Sequence, residues 1–288
     1  MAQNYRGATT YFLLDIFFLV IQSLFEFARG NKGSDPRCQL LNNHAWIFTL
    51  PKSGTTYTLL FLANYKAKIY DRGAPDVDFQ SLNGMEVYHS LRTGKSLSDL
   101  QSKSTPNSIY HTHDYPACNF SRAVGLFRHP FDFLISSYYF HFANRKGKDR
   151  PIQSVFQNRM EYFAQHYLNQ KRLVEKSSSS VLWIRYEMLI QFPLQTFGQV
   201  VTHFGLPWNI AVLVSSLRAT TMDKVSNMTN PSGRPIVASN NFVGKSFIRS
   251  GKVFEYKDVL SKEDVLRLCG ILKKQGLSQD DLLNFEIC

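Results

Sequence analysis

Residues 45–65 read AWIFTLPKSGTTYTLLFLANY, and this stretch decides the fold. The apolar run Ala45–Leu50 predicts a buried strand, Pro51–Thr56 predicts a turn, and Tyr57–Tyr65 predicts a helix. A strand that leads through a short turn into a helix is typical of parallel sheets whose faces are covered by helices. The stretch therefore predicts an α/β fold.

Three further short apolar runs are bounded by polar or turn residues, as strands of the same sheet would be. They are Ser108–Thr112, Ala123–Phe127 and Val181–Tyr186. Helical spacing of apolar residues marks three longer segments. They are Phe131–Phe142, Val155–Val174 and Lys262–Lys274, the last with Ser261 as its N-cap. We expect one α/β domain over residues 38–288, with a central parallel sheet flanked by helices.

Residues 1–37 are predicted to form a separate element, an apolar helix followed by a linker. The run Tyr11–Ala28 approaches the length of a membrane span, but Asp15, Gln22 and Glu26 fall on one side of a helix. This polar stripe favours a helix that packs on protein, with a membrane-surface helix and a signal anchor as the alternatives. A membrane-surface contact through residues 11–28 therefore stays open.

The composition predicts a globular protein with an anionic ligand. The chain has 33 Lys and Arg against 22 Asp and Glu, a formal net charge of +11, and 44% hydrophobic residues, enough for a sizeable core. Its four cysteines form no CxxC pair, which argues against a zinc site or a disulfide framework. They are Cys38, Cys118, Cys269 and Cys288. We expect a reducing compartment and a cytoplasmic location.

The turn after the first strand carries the residue types of a phosphate-binding loop. Backbone N–H groups at a helix N-terminus face an anion, Gly54 permits close approach of the backbone, and Lys52 adds a charge. Hydroxyl donors come from Ser53, Thr55 and Thr56. The loop is P-loop-like but is not a Walker A motif, because its lysine precedes a single glycine and no magnesium-holding aspartate is evident. We therefore expect no metal, and a magnesium-dependent kinase is disfavoured.

A second anion site is predicted after the strand Ala123–Phe127. Arg128 leaves the carboxyl end of that strand, and Ser136 follows eight residues later in a helical run. Both side chains could reach one phosphate, which a bidentate arginine suits well. Two such sites indicate one long, multiply charged ligand.

These residues together resemble the cytosolic-type sulfotransferases. Pro51–Tyr57 resembles the 5′-phosphosulfate loop of that family, Arg128–Phe140 its 3′-phosphate motif, and Phe247–Lys257 its C-terminal Arg-Lys-Gly segment. The resemblance extends over about Ala45–Leu260. It implies that the donor is 3′-phosphoadenosine 5′-phosphosulfate (PAPS), whose sulfuryl group is moved to a hydroxyl or an amine.

The resemblance also implies roles for individual residues around the donor. At the 3′-phosphate it adds three residues to Arg128 and Ser136, namely Arg249, Ser250 and Gly251. Four residues match the contacts that the family makes with adenine, namely Tyr57, Tyr186, Thr220 and Met222. The chain departs from the family at Ser250, which replaces a lysine, and at Phe254–Tyr256, which replaces Gly-Asp-Trp.

Two residues are expected to act on the reacting atoms. His113 matches the family's general base, and an imidazole titrates near neutrality. Lys52 is expected to neutralise the bridging oxygen of the departing phosphate. The family often holds the sulfuryl oxygens with a lysine where this chain has His111. Either His111 takes that task, or the hydroxyls of Thr55 and Thr56 do.

The acceptor is expected to be a small molecule held beside His113, with no nucleic acid as partner. Its walls are predicted to come from residues 79–91, 140–148 and 230–245, and a homo-oligomer is compatible with the sequence. Three functions are alternatives to sulfuryl transfer. The chain could be an atypical nucleotide-dependent kinase, a catalytically silent relative, or a basic protein that binds RNA or a membrane through Arg145–Arg150.

Overall fold

The structure is a computed structural model, and it describes residues 44–78, 108–113, 121–143, 150–177, 180–228 and 251–287. The predicted N-terminal element, residues 1–37, lies outside the described residues. Its boundary with residues 38–288 therefore stays a prediction.

A four-stranded parallel sheet forms the centre of the described chain. Its strands are β1 (Ala45–Thr49), β2 (Ile109–Thr112), β3 (Arg122–Phe127) and β4 (Val181–Arg185), in the order β2-β1-β3-β4. Every neighbouring pair is parallel. The carboxyl ends of all four strands therefore lie along one edge of the sheet, and the predicted α/β fold is confirmed.

Helices follow the strands along the chain. They are α1 (Thr55–Tyr70), α2 (Pro130–Tyr138), α3 (Phe156–Lys176), α4 (Tyr186–Gln191), α5 (Pro193–His203), α6 (Ile210–Ala219), α7 (Met222–Asn227), α8 (Tyr256–Val259), α9 (Lys262–Lys274) and α10 (Gln279–Asn284). A π-helix, Tyr139–Ala143, extends α2, and a 3₁₀-helix, Ile152–Val155, precedes α3. Within the described ranges, no helix combines the length and the hydropathy needed to cross a bilayer.

Element bounds differ from the sequence expectations mainly at the carboxyl edge of the sheet. α1 begins at Thr55, two residues before the expected start, because Gly54 adopts a left-handed φ of 91° and ends the loop there. Tyr186, expected to end a strand, instead begins α4. The start of α9 is confirmed, since Ser261 and Asp264 form a reciprocal capping box.

The sheet is buried on both faces, and β3 shows how. Val124 and Leu126 belong to one hydrophobic cluster, which includes the buried face of α1 and Phe197 of α5. Phe127 belongs to a second cluster, with Phe163 of α3 and residues of α2, α9 and α10. Side chains alternate between the two faces of a strand, so the near-continuous apolar runs predicted for this sheet follow from its two covers.

Cys269 corrects the expectation that the cysteines are reduced. It is disulfide-bonded. Cys269 is buried in α9 beside the second hydrophobic cluster. Spacing alone failed because a disulfide depends on the approach of two chain segments in space.

Asp132 of α2 ties the C-terminal part of the chain to the carboxyl edge of the sheet. Its carboxylate accepts hydrogen bonds from the backbone N–H groups of Phe254 and Tyr256, the latter at 3.0 Å, and its side chain is fully buried. Burial raises the pKa of Asp132, while Arg128, 3.9 Å away, opposes this shift. The aspartate thereby fixes where residues 254–256 lie relative to Arg128.

Replacing Asp132 by alanine is expected to destabilise the protein by about 2–4 kcal/mol, because a buried and a part-buried backbone donor lose their acceptor. Urea unfolding of the whole chain measures this loss. Asp258→Ala removes the same charge from an exposed position of α8 and is the matched control. Equal stability of the two variants would contradict the role assigned to Asp132.

Candidate active site

The loop between β1 and α1 is anchored to the neighbouring strand β3. Leu50 donates its N–H to the carbonyl of Leu126 at 3.0 Å. The hydroxyl of Ser53 is buried within hydrogen-bond distance of the carbonyls of Leu50 and Leu126, which share its one hydrogen. Ser53 therefore uses its hydroxyl to hold the loop together, instead of offering it to a ligand as the sequence had suggested.

Gly54 is required because the ring of Tyr186 packs directly on its backbone. A Cβ atom at this position would lie 2.5 Å from Cδ2 of Tyr186, well inside contact distance. Gly54 also has a positive φ, which side-chain-bearing residues rarely adopt. The first residue of α4 and the loop after β1 are thus in direct contact, which joins the ends of β1 and β4.

Arg128, immediately after β3, lies between the loop and the C-terminal segment. Its guanidinium donates to the carbonyl of Lys52 at 3.3 Å and to that of Lys252 at 3.0 Å. It also lies over the ring of Tyr186, with Cζ 4.4 Å from the ring centroid. The Nε atom of Arg128 is buried and has no hydrogen-bond partner among the described residues. This unused donor is available to an anion bound at the edge of the sheet.

Lys52 presents a half-buried cation beside an aromatic ring. Its Nζ atom lies 4.1 Å from the centroid of the Phe140 ring, in the π-helix that extends α2. Burial, followed by repulsion from Arg128, lowers the pKa of Lys52 to about 8. Its backbone has a left-handed φ of 70°, which costs free energy in a lysine and which the anchored loop must offset. Binding of an anion here would stabilise the charged form.

His113, just after β2, is oriented by the last residue of β1. Its Nδ1 lies 2.8 Å from the carbonyl oxygen of Thr49 and 2.9 Å from the hydroxyl oxygen of Thr49. A carbonyl can only accept, so Nδ1 carries the hydrogen and donates it. The neutral ring consequently bears its lone pair on Nε2, the nitrogen that a general base needs.

His111 contacts the same threonine from inside the protein. Its Nε2 lies 2.9 Å from the hydroxyl oxygen of Thr49, and the hydroxyl oxygen of Thr55 lies 2.8 Å from that of Thr49. The His111 and His113 rings meet edge to face at 4.6 Å. Burial, followed by repulsion from His113, holds the pKa of His111 well below its ordinary value, so His111 is neutral.

Other predicted donor-binding residues are partly placed. Gly251 accepts a hydrogen bond from the Tyr186 hydroxyl at 3.4 Å, and the ring of the same tyrosine lies against Arg128. Tyr57, in the first turn of α1, is half-buried against Phe197, and burial raises its pKa to about 12. Arg249 and Ser250 lie outside the described residues.

The remaining predicted residues are less closely joined to the site. Ser136 is half-buried in α2, and no hydrogen bond links its hydroxyl to Arg128. Thr56 is half-buried in the first turn of α1. Thr220 is fully buried, and its hydroxyl donates to the Ser216 carbonyl at 3.0 Å, within its own helix. Met222 begins α7.

Sequence reasoning missed Thr49, Asp132 and the contact of Phe140 with Lys52. Thr49 had a signal, because it is a hydroxyl residue inside an apolar run and directly precedes the loop. Asp132 and Phe140 had none, since their partners are distant in sequence or depend on the π-helix. Of the three acceptor walls predicted, residues 79–91 and 230–245 lie outside the described residues.

An apolar cavity of about 940 Å³ lies elsewhere, between α4, α5 and Trp208. One of its lining residues, His203, hydrogen-bonds the carbonyls of Ala123 and Ser180. These residues mark the amino ends of β3 and β4. The cavity is therefore at the edge of the sheet opposite the site described above, and it is not the expected acceptor pocket.

Comparison with known proteins agrees with this arrangement. Mouse sulfotransferase SULT7A1, solved in complex with PAP, aligns over 88% of this chain and 92% of its own, with 13% identity and a TM-score of 0.58. Retinol dehydratase in complex with retinol and PAP aligns over 83% of each chain, with 13% identity and a TM-score of 0.59. A second retinol dehydratase structure, with androsterone and inactive cofactor PAP, has 16% identity, a TM-score of 0.53 and coverage of 81% and 80%.

These likenesses show a shared fold, whereas the sequence itself carries the family assignment. A comparison with curated proteins gave no match. The sequence profile of the sulfotransferase domain matches residues 42–275, which include every site residue described above. The chain therefore belongs to the sulfotransferase domain family, as the resemblance of its motifs implied.

Proposed function

We propose that this protein is a PAPS-dependent sulfotransferase that moves a sulfuryl group to a hydroxyl or an amine of a small-molecule acceptor. His113 is the general base, and Lys52 neutralises the leaving phosphate. The observation that carries the proposal is the hydrogen bond from His113 Nδ1 to the Thr49 carbonyl. This hydrogen bond holds His113, which follows β2, against the last residue of β1. The loop that follows β1 carries Lys52, so the two residues lie at the same edge of the sheet.

The residues present fit a nucleotide with two separate anionic groups. Lys52 and the N-terminus of α1 suit the 5′-phosphosulfate, since both offer positive charge at the loop. Arg128, with its buried and unpartnered Nε, suits the 3′-phosphate. Tyr186 and Tyr57 offer aromatic surface between α1 and α4 for the base. Bound there, PAPS supplies the sulfuryl group, attached to its phosphate through an easily broken S–O bond.

The chain's own residues then have two tasks in the reaction. His113 Nε2 accepts the proton of the acceptor's O–H or N–H group while that oxygen or nitrogen bonds to sulfur. The Lys52 ammonium stabilises the negative charge that remains on the phosphate oxygen when its bond to sulfur breaks. The anchored loop holds Lys52 in place before the reaction, so little reorganisation is needed.

A small-molecule acceptor is supported by two of the structural neighbours. Retinol dehydratase has been solved with retinol and with androsterone, both of them small molecules. In this chain, Phe140 and the neighbouring π-helix supply aromatic surface next to Lys52. These features favour an acceptor with an apolar body and one nucleophilic group.

Ligand-dependent thermal unfolding tests the proposed class directly. PAP, ATP with Mg²⁺ and a short RNA are added separately to the full-length protein. We expect PAP alone to raise Tm markedly, because only PAP matches both anion sites. A larger shift with ATP and Mg²⁺ would favour a kinase, and a shift with RNA alone would favour a binding protein.

His113→Ala and Lys52→Ala are each expected to lower kcat by about 10² to 10⁴-fold, because both residues act on charge that develops in the transition state. Sulfuryl transfer from PAPS to 4-nitrophenol is the measurement, with PAP-induced stabilisation as evidence of folding. Lys262→Ala, an exposed change on α9, is the control and should leave kcat unchanged. Normal turnover by His113→Ala would remove His113 as the base.

Arg128→Ala is expected to weaken PAP binding by about 10 to 100-fold, the loss that follows when charge-assisted hydrogen bonds to a phosphate disappear. Titration calorimetry measures the affinity. Arg128→Lys keeps the charge but not the guanidinium fork, so its affinity should be intermediate. Arg172→Ala, on an exposed face of α3, is the matched control. Unchanged PAP affinity in Arg128→Ala would contradict the 3′-phosphate assignment.

The lowered pKa of Lys52 predicts a pH dependence. The charged ammonium is the active form, so kcat/KM for PAPS should fall as pH rises through about 8, where free Lys52 loses its proton. Lys52→Arg stays charged in this range and should lose that alkaline decline, even if its overall activity is lower. The same decline in Lys52→Arg would assign it to another group.

A further inference from the structure

We infer that His129 is a positioning residue for donor binding. Its imidazole connects residues 284–285, which follow α10, to residues 252–256, the segment that holds the guanidinium of Arg128. The inference rests on the proposed function and deepens it. It assigns part of the affinity for the 3′-phosphate to a fully buried side chain that the ligand cannot touch.

The ring of His129 is neutral, and both of its nitrogens are hydrogen-bonded. The residue directly follows Arg128 and caps the start of α2, where its Nδ1 atom accepts the N–H of Phe131 at 3.3 Å. Its Nε2 atom lies 3.0 Å from the carbonyl oxygen of Phe285. A backbone N–H only donates and a carbonyl only accepts, so the ring carries its single hydrogen on Nε2. Burial, followed by repulsion from Arg185, lowers the pKa of His129 to about 3, which agrees with a neutral ring.

Residues 284–285 are held by two side chains that also meet each other. His129 donates to the carbonyl of Phe285. Arg185, the last residue of β4, donates to the carbonyl of Asn284 at 2.9 Å. The buried carboxylate of Glu187 accepts the backbone N–H of His129 at 3.0 Å and lies 3.4 Å from Nε of Arg185. A closed ring of contacts therefore joins the ends of β3 and β4 to the residues after α10.

The same imidazole packs flat against Tyr256 in the segment that covers Arg128. The two ring centroids are 4.5 Å apart, and the ring planes differ by only 6°. The backbone N–H of Tyr256 is bound by Asp132 at 3.0 Å. Residues 252–256 are thus held at their backbone by Asp132 and at a side chain by His129.

The position of residues 252–256 determines the direction of the free donor of Arg128. One terminal nitrogen of its guanidinium donates to the Lys252 carbonyl at 3.0 Å, and the other donates to the Lys52 carbonyl at 3.3 Å. A planar guanidinium that is fixed at both terminal nitrogens also has a fixed Nε–H direction. This Nε–H is the buried donor that the proposed function assigns to the 3′-phosphate. A displacement of Lys252 would turn it away from that group.

Two substitutions separate the tasks of the two ring nitrogens. His129→Asn puts an amide oxygen about where Nδ1 lies, so the cap of α2 is kept and the contact with Phe285 is lost. His129→Gln extends an amide N–H towards the Phe285 carbonyl, so that contact is kept and the cap is lost. If His129 only stabilised the fold, the affinity for the donor would not depend on which of the two contacts remains.

Nitrogen NMR of the free protein, labelled with ¹⁵N-histidine, tests the hydrogen-bond arrangement without any ligand. We expect His129 to show a protonated Nε2 and an unprotonated Nδ1 at neutral pH, with His129→Asn identifying its signals. A protonated Nδ1 would overturn the inference, because Nε2 would then have no hydrogen to donate to Phe285. This result is independent of whether the protein binds PAPS at all.

Titration calorimetry with PAP and with adenosine 5′-phosphate, which lacks the 3′-phosphate, tests the target. His129→Asn should weaken PAP binding by about tenfold and leave adenosine 5′-phosphate binding unchanged, because only the contact of Arg128 with the 3′-phosphate is disturbed. Tyr256→Leu, which removes the stacked ring, should cause the same loss. The double variant should be no weaker than either single variant, since both act through one segment. His129→Gln and Tyr256→Phe should keep most of the affinity.

His203→Asn is the matched control, because this half-buried histidine also hydrogen-bonds backbone carbonyls, those of Ala123 and Ser180, but at the opposite edge of the sheet. It should change neither affinity. Unchanged PAP affinity in His129→Asn, equal losses for the two nucleotides, or additive losses in the double variant would each overturn the inference. Failure of the wild-type protein to bind PAP would instead refute the proposed function, and the inference with it.

Discussion

The contact between β1 and β2 at Thr49 is the constraint on which the site depends. Thr49 is the last residue of β1, and its carbonyl fixes the ring of His113 at the end of β2. The loop that begins one residue later carries Lys52 and then starts α1. His113, the proposed base, and Lys52, the proposed partner of the leaving phosphate, are therefore positioned by one short stretch of backbone. A shift of β1 against β2 by one residue would turn every side chain to the opposite face and separate them.

Arg128 performs a comparable task on the other side of β1. It joins the carbonyl of Lys52 in the loop to the carbonyl of Lys252 in the C-terminal segment, and Asp132 holds that segment from one helical turn further on. The terminal nitrogens of Arg128 donate to two carbonyls, whereas its buried Nε–H has no hydrogen-bond partner among the described residues. Phosphate binding would therefore complete an arrangement that the protein has already organised.

The sequence predicted the layout of the fold better than the details of its site. The strand Ala45–Thr49, the loop and α9 follow from apolar runs, a glycine and a Ser-x-x-Asp cap, all of which are local signals. Ser53 was assigned to the ligand, yet it serves the loop, because its partner Leu126 is brought close only by strand pairing. The neutrality of His111 and the disulfide of Cys269 likewise depend on burial and on approach in space. Neither can be derived from spacing along the chain.

The strand order β2-β1-β3-β4 sets the spacing of the candidate site residues along the carboxyl edge of the sheet. His113 follows β2, Lys52 follows β1, Arg128 follows β3 and Tyr186 follows β4. Neighbouring strands lie about 4.8 Å apart, so the row measures about 14 Å from end to end. A donor bound as proposed above would extend along this row, with one anionic group at Lys52, the other at Arg128 and its aromatic ring at Tyr186. A nucleoside triphosphate concentrates its charge in one tail, and its phosphates would leave part of this row unused.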